Sequence, residues 1–335
     1  MARTGVSAAD PIVRKVQLAG GSTFTVSLPK EWARSQSLEA GSELRLYALE
    51  DRIVVAPAVD VPATESVTIR ADDLGVDALR RRVRAAYTTG GDEIRVTATD
   101  GLSSEQRQAA TEALTGLVGV EVERGGEAPL VARSMLDADA VSLEQTLRQL
   151  RRQALGMYRE AIEAVVEDDA ALAVSVERRV REVERFVALV GRQFHAALVD
   201  VGEVERLETG RATAFRHYRT ARALGEVARD AAAIARVARE QSSPPADPVA
   251  EAITDLGAAG RSVLADALHD DPATVVQGQA DVAESLAALD EALEPASDSD
   301  AFRYGRLRER VAETADAIDS VATARCQAAL DGTGT

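Results

Sequence analysis

Alternating apolar and polar residues near the start of the chain predict short β-strands. The alternation is clear from Phe24 to Leu28, and glycines separate it from the neighbouring runs. A period of two puts every second side chain on one face of a strand, and glycine permits the turns between strands. The pattern predicts a small β domain at residues 10–58, with one helical turn at residues 30–37 and a linker at residues 56–63.

The middle of the chain, residues 64–136, alternates between the periods of strands and helices. Such alternation is typical of a compact α/β module, in which helices cover a sheet. The predicted strands are residues 67–69, 93–97, 120–123 and 129–133, and the predicted helices are residues 76–87 and 104–117.

The remainder, residues 138–332, has the period of amphipathic helices. Apolar residues recur every three or four positions from Val176 to Val201, which places them on one helix face. Ser142 and Gln145 have the spacing of a capping box. A proline-bearing run divides the region into residues 141–240 and 248–331. The predicted helices are residues 141–168, 170–200, 203–240, 248–270, 272–294 and 300–331.

The charge of the chain limits its partners. The sequence has 39 Lys and Arg against 55 Asp and Glu, a formal charge of −16. Bulk attraction to nucleic acid or to anionic membranes is therefore excluded, and any DNA contact must be local. The acidic, arginine-rich and aromatic-poor composition is typical of halophilic proteins, although an ordinary acidic cytosolic protein remains the alternative.

The residue types that usually carry catalysis show no catalytic spacing. Cys326 is the single cysteine, so a disulfide and a four-cysteine zinc site are excluded. His195, His217 and His269 have no paired spacing, and neither a phosphate loop nor a nucleophile elbow occurs. No run reaches the ~20 apolar residues that a membrane helix needs. We therefore expect a cytoplasmic protein that is not an enzyme and does not insert into membranes.

The most informative motif lies between Arg14 and Leu46. It contains, in order, RKVQ, GGST, SLPKEW and Leu-Glu-Ala-Gly. This ordered set resembles the AbrB/MazE-type transcription factors. The resemblance implies a swapped-hairpin β-barrel formed by two chains, and hence a homodimer through residues 10–58. It also implies that positive side chains on the barrel contact a double-stranded DNA operator.

Four cations are the candidate DNA-binding residues. The resemblance assigns Arg14, Lys15 and Arg34, and we add Lys30 because it belongs to the same local excess of positive charge. Residues 10–38 carry a net charge of +2. Thr25 stands where the family often has a further arginine. The alternative for this segment is a domain that dimerises without binding DNA.

The helical region resembles the phosphate-uptake regulators of the PhoU family, which consist of two three-helix bundles. The resemblance implies a role in phosphate homeostasis, and the joining of an AbrB-like domain to a PhoU-like domain is found among haloarchaeal regulators. The stretches that carry the resemblance are residues 176–194, 220–238 and 309–322.

PhoU proteins can bind metal clusters through carboxylates one helical turn apart, but this chain fits that pattern poorly. Gly225 and Arg229 stand where two of the carboxylates belong. We therefore interpret the remaining carboxylates as solvated surface groups and expect no cofactor, with a divalent metal as the alternative. The weak candidates are Glu184, Glu226, Asp230 and Asp316.

Together these features predict a multidomain α+β protein with a DNA-binding domain, a small α/β module and an all-α region. We expect a transcriptional regulator of phosphate uptake that acts as a homodimer. The alternative is a PhoU-like scaffold that binds transporter or signalling components and uses its N-terminal domain only to dimerise. An antitoxin is a further alternative, but antitoxins of this type usually have a short tail in place of a long helical region.

Overall fold

The structure is a computed structural model. It divides the chain into two compact units, residues 1–63 and residues 64–335. The second unit begins with mixed strands and helices and continues as helices alone. A mixed architecture with an all-helical C-terminal region is thus confirmed. The described residues are 11–48, 52–58, 66–123, 129–136, 142–199, 210–266, 272–294 and 300–331.

The first unit consists of two β-hairpins and one short helix. Strand β1 (Gln17–Ala19) pairs antiparallel with β2 (Thr23–Thr25), and β3 (Leu44–Ala48) pairs antiparallel with β4 (Ile53–Pro57). Helix α1 (Lys30–Ser35) follows the first hairpin. Within the described residues each hairpin is a separate two-stranded sheet, so the barrel expected from the sequence is not confirmed.

Strand β4 extends further than the sequence predicts. Ala56 and Pro57, which the pattern placed in a linker, are the last two residues of the strand. Proline has no N–H to donate to a neighbouring strand, so it is tolerated at the end of an edge strand, where that hydrogen bond is not required. The Ala58 N–H then donates to the Glu43 carbonyl oxygen at 3.0 Å, which continues the hairpin past the proline. Residues 59–63 lie outside the described residues.

The second unit begins with four strands and two helices. They are β5 (Ser66–Arg70), α2 (Val76–Thr88), β6 (Glu93–Thr97), α3 (Ser104–Thr115), β7 (Val120–Val122) and β8 (Leu130–Ser134). The strands form a mixed sheet in the order β5-β6-β8-β7, in which β5 and β6 are parallel and the other neighbours are antiparallel. Ile69, Ile94 and Ala132 on the sheet form one core with Leu79 and Leu114 on the two helices.

Long helices form the rest of the described chain. They are α4 (Leu143–Val166), α5 (Ala170–Val199), α6 (Arg211–Glu240), α7 (Asp247–Asp266), α8 (Pro272–Leu293) and α9 (Ala301–Asp331). Helices α4, α5 and α6 contact one another, as do α7, α8 and α9, and the two groups meet where α4 contacts α7 and α6 contacts α9. One continuous hydrophobic core extends through both groups.

The apolar stripe predicted for α5 faces this core. Val176, Val183 and Val190 belong to the core and are fully buried. Their spacing of seven residues keeps them on one side of the helix over its whole length. Val201, the last residue of the predicted stripe, lies outside the described residues.

The α/β module is fixed to the helical region by Arg192 of α5. Its guanidinium donates to the carbonyl oxygens of Tyr87 and Gly91, at 3.0 and 2.9 Å, and to Asp92 Oδ1 at 2.6 Å. The same group lies 5.2 Å from the centre of the Tyr87 ring. Since one side chain satisfies two carbonyls and a carboxylate, it ties α5 to the loop that follows α2. Among the described helices, none is long and apolar enough to cross a membrane.

Candidate nucleic-acid interface

The turn of the first hairpin depends on two glycines. Gly20 and Gly21 have φ values of +62° and +81°, in the left-handed region that side chains disfavour. A Cβ atom at either position would meet nothing within 4 Å, so backbone conformation, and not space, requires glycine there. The turn sets the register in which Leu18 lies opposite Phe24.

That register gives the hairpin two chemically different faces. Leu18 and Phe24 form the apolar hairpin face, and their exposed fractions are 62% and 74%. Gln17, Thr23 and Thr25, together with Ala19, form the polar hairpin face, because side chains alternate along a strand. Thr25 Oγ1 donates to the Gln17 carbonyl oxygen at 3.3 Å. A single chain thus leaves the apolar face in water.

The short helix α1 carries two of the four candidate cations. It starts after Pro29, which occupies the N-cap position, and it ends before Ser37, whose φ of +54° turns the chain away. Lys30 and Arg34 are four residues apart, so they lie on the same helix face. Both are exposed.

The other two candidate cations precede β1. Arg14 and Lys15 are exposed, and Arg14 Nη1 donates to the Val13 carbonyl oxygen at 3.2 Å. No hydrogen bond or ion pair within the described part of the chain links this pair to α1. Lys30 and Arg34 therefore share one face of α1, and Arg14 and Lys15 are neighbours in the segment before β1.

The four cations differ from many arginines of the second unit in their partners. Arg84 lies 2.8 Å from Glu184 and Arg192 lies 2.6 Å from Asp92, whereas none of the four candidates pairs with a carboxylate that the structure describes. Residues 11–30 contain three basic residues and no acidic one. A local positive charge that no carboxylate neutralises attracts phosphate groups.

Three of the weak metal candidates lie at or near the surface. Glu184 contacts Arg84 and, at 3.7 Å, Arg229. Glu226 lies 3.5 Å from Arg222 and 3.8 Å from Arg229, and Asp316 is exposed. Among the described residues, no group of three or more His, Cys, Asp or Glu side chains could hold a metal ion.

The interpretation of these carboxylates as solvated surface groups is wrong for Asp230. It is 9% exposed and lies between α6 and α9, where Thr314 Oγ1 donates to its Oδ2 at 3.2 Å. Arg310 lies 3.7 Å from its Oδ1. Burial raises the pKa of Asp230 to about 6. The sequence does contain a signal, because Asp230 continues the buried stripe of Val227 and Ile234.

The comparison with protein families identifies the N-terminal domain. Residues 17–63 match the family described as "Antidote-toxin recognition MazE, bacterial antitoxin". This match confirms that the chain carries a MazE/AbrB-type domain, a class that suggests a DNA-binding regulator. Lys30 and Arg34 fall within the match, whereas Arg14 and Lys15 precede it. No curated protein and no solved structure is significantly similar to the chain.

Proposed function

We propose that the protein is a homodimeric, DNA-binding transcriptional regulator of phosphate uptake. The observation that carries the proposal is the match of residues 17–63 to the MazE family. Among the described residues, no carboxylate pairs with any of the four candidate cations Arg14, Lys15, Lys30 and Arg34. Their side chains are therefore available to phosphates, which supports the proposal.

The uncovered apolar surface of the first unit supports the homodimer. None of the described residues of this unit is buried, although Leu18, Phe24 and Leu46 are large and apolar. A two-stranded hairpin is marginal by itself in water. A second copy of the same unit would cover these faces and complete a core for both chains.

The helical region supports the phosphate role through its resemblance to the PhoU family. The contacts of α4–α6 and of α7–α9, with a shared core between them, suit a body made of two three-helix groups. Mapping the genomic sites occupied under phosphate plenty and under starvation tests this part. We expect occupancy to change near phosphate-transport genes, and an unchanged pattern would remove phosphate from the proposal.

The DNA-binding part is tested with the full-length chain and a random-sequence duplex DNA. We expect the double variant Arg14→Ala/Arg34→Ala to bind DNA more weakly than the wild type. The slope of log affinity against log salt concentration should also become shallower, by roughly 0.9 for each phosphate that is no longer neutralised. Arg81→Ala/Arg82→Ala is the matched control, because it removes two exposed arginines from α2. The control should bind as the wild type does.

The scaffold alternative predicts a different result. If the wild-type dimer binds no duplex DNA at any salt concentration, the N-terminal domain serves only to dimerise. Equal weakening in the arginine variant and in the α2 control would show that total charge, and not this domain, determines binding.

A further inference from the structure

We infer that the polar hairpin face recognises base edges in the major groove of duplex DNA, with Gln17 as the principal specificity-determining residue. The inference rests on the proposed DNA binding and adds the residues that select the sequence. Contacts to phosphates are the same at any sequence, so the selection of one site requires side chains that reach base edges.

The shape of the hairpin suits the major groove. That groove admits a two-stranded β-ribbon, and within the described residues β1 and β2 pair only with each other. The turn at residues 20–22 has two glycines and a serine, so no bulky side chain prevents a close approach to DNA.

The chemistry of the two hairpin faces determines which of them is available to DNA. Leu18 and Phe24 are mostly exposed in a single chain, so an assembly that covers them with protein is more stable than one that leaves them in water. Gln17, Thr23 and Thr25 project from the opposite side. The face that remains in contact with solvent is therefore the polar one.

The chemistry of this face matches base edges. The Gln17 carboxamide makes no hydrogen bond within the described part of the chain. Its oxygen can accept from the adenine N6 amino group while its nitrogen donates to adenine N7, which is a bidentate pair. A threonine methyl group can contact the thymine methyl group. The hydrogen bond from Thr25 to the Gln17 carbonyl oxygen joins the two strands at this position.

The charge around the face favours the same partner. Arg14 and Lys15 lie just before Gln17 along the chain, and no acidic residue occurs from residue 11 to residue 30. In a chain with 55 acidic residues, this stretch is the part of the first unit that would approach phosphates without repulsion.

The test compares Gln17→Ala with the wild type in the full-length protein. A preferred duplex is first selected from a random library with the wild type, and affinities for this duplex and for a scrambled duplex are then measured at one salt concentration. We expect Gln17→Ala to reduce the ratio of the two affinities by roughly 10- to 100-fold while the affinity for scrambled DNA stays the same. Gln36→Ala, an exposed glutamine after α1, is the matched control and should keep the ratio.

The outcomes separate this inference from the proposed function. If the wild type binds duplex DNA but Gln17→Ala keeps the full ratio, or if the wild type selects no sequence, the inference is overturned and DNA binding stands. If the wild type binds no duplex DNA, both fail. Light scattering on each variant confirms that the oligomeric state is unchanged, so a reduced ratio cannot come from a dissociated assembly.

Discussion

Asp230 shows how one side chain links the two groups of helices. Its carboxylate accepts a hydrogen bond from Thr314 of α9 and lies near Arg310, but burial still raises its pKa to about 6 from an ordinary value of 3.8. Desolvation therefore exceeds the gain from these partners. Tyr158 of α4 is also fully buried, and burial together with the charge of Asp230 raises the pKa of its hydroxyl.

The raised pKa predicts how stability depends on pH. A carboxyl group that binds its proton more tightly in the folded state favours folding at low pH, and this contribution is lost as the pH rises from 4 through 6. Asp230→Asn removes the buried charge and should raise the free energy of unfolding at pH 8 by ~1–2 kcal/mol, with little change at pH 4. Denaturant unfolding of variant and wild type at both pH values measures the difference.

Asp316→Asn is the control for this prediction, because Asp316 is exposed on α9. It should change the free energy of unfolding by less than ~0.5 kcal/mol at either pH. If Asp230→Asn is less stable than the wild type at pH 8, the carboxylate contributes favourable contacts that outweigh its burial.

Glycines determine how closely α4 and α7 approach each other. A Cβ atom at Gly260 of α7 would lie 2.3 Å from the Tyr158 hydroxyl oxygen, and one at Gly257 would lie 2.8 Å from Ile162. Tyr158 is fully buried and Ile162 is 8% exposed, so an added Cβ atom would force one of these side chains or a helix to shift. The contact between the two groups of helices therefore needs glycine at these positions.

Two glycine substitutions should have opposite effects on stability. Gly260→Ala should lower the free energy of unfolding by ~1–3 kcal/mol, because the added methyl group overpacks the contact with Tyr158. Gly305→Ala in α9 meets nothing within 4 Å and should raise it by ~0.5–1 kcal/mol through better helix propensity. Thermal and denaturant unfolding compare the two variants. A Gly260→Ala variant that is as stable as the wild type, or more stable, would show that packing at Gly260 is not tight.

Local patterns predicted most elements, but they could not predict contacts between distant segments. The α/β module has its strands and helices within two residues of the predicted limits, since each element has its own period. The hydrogen bond from Thr314 to Asp230 and the contact at Gly260 join residues far apart in sequence, and a period cannot show such pairs. In the candidate interface, the motif indicated the cations, but the face that holds Gln17 became visible only through the register of β1 and β2.

The charge of the whole molecule is unevenly distributed between its two units. Residues 1–63 contain seven basic and seven acidic residues, so the full charge of −16 belongs to residues 64–335. Such a second unit repels DNA, and a duplex would be held only by the first unit. At about 1 M salt the Debye length is roughly 3 Å, so repulsion between two such chains would not prevent them from associating.

The proposed dimer would bury the apolar hairpin face. Phe24→Asp should convert a dimer of the 35.5 kDa chain into a monomer, because a carboxylate on the apolar hairpin face would be buried without a partner in the dimer. Thr25→Asp changes the neighbouring residue on the polar hairpin face and should leave the dimer intact. Light scattering coupled to size-exclusion chromatography gives both masses at one protein and salt concentration. If the wild type is monomeric, or if the Phe24→Asp variant stays dimeric, the apolar hairpin face does not form the interface. If both substitutions dissociate the dimer equally, the cause is unfolding of the hairpin.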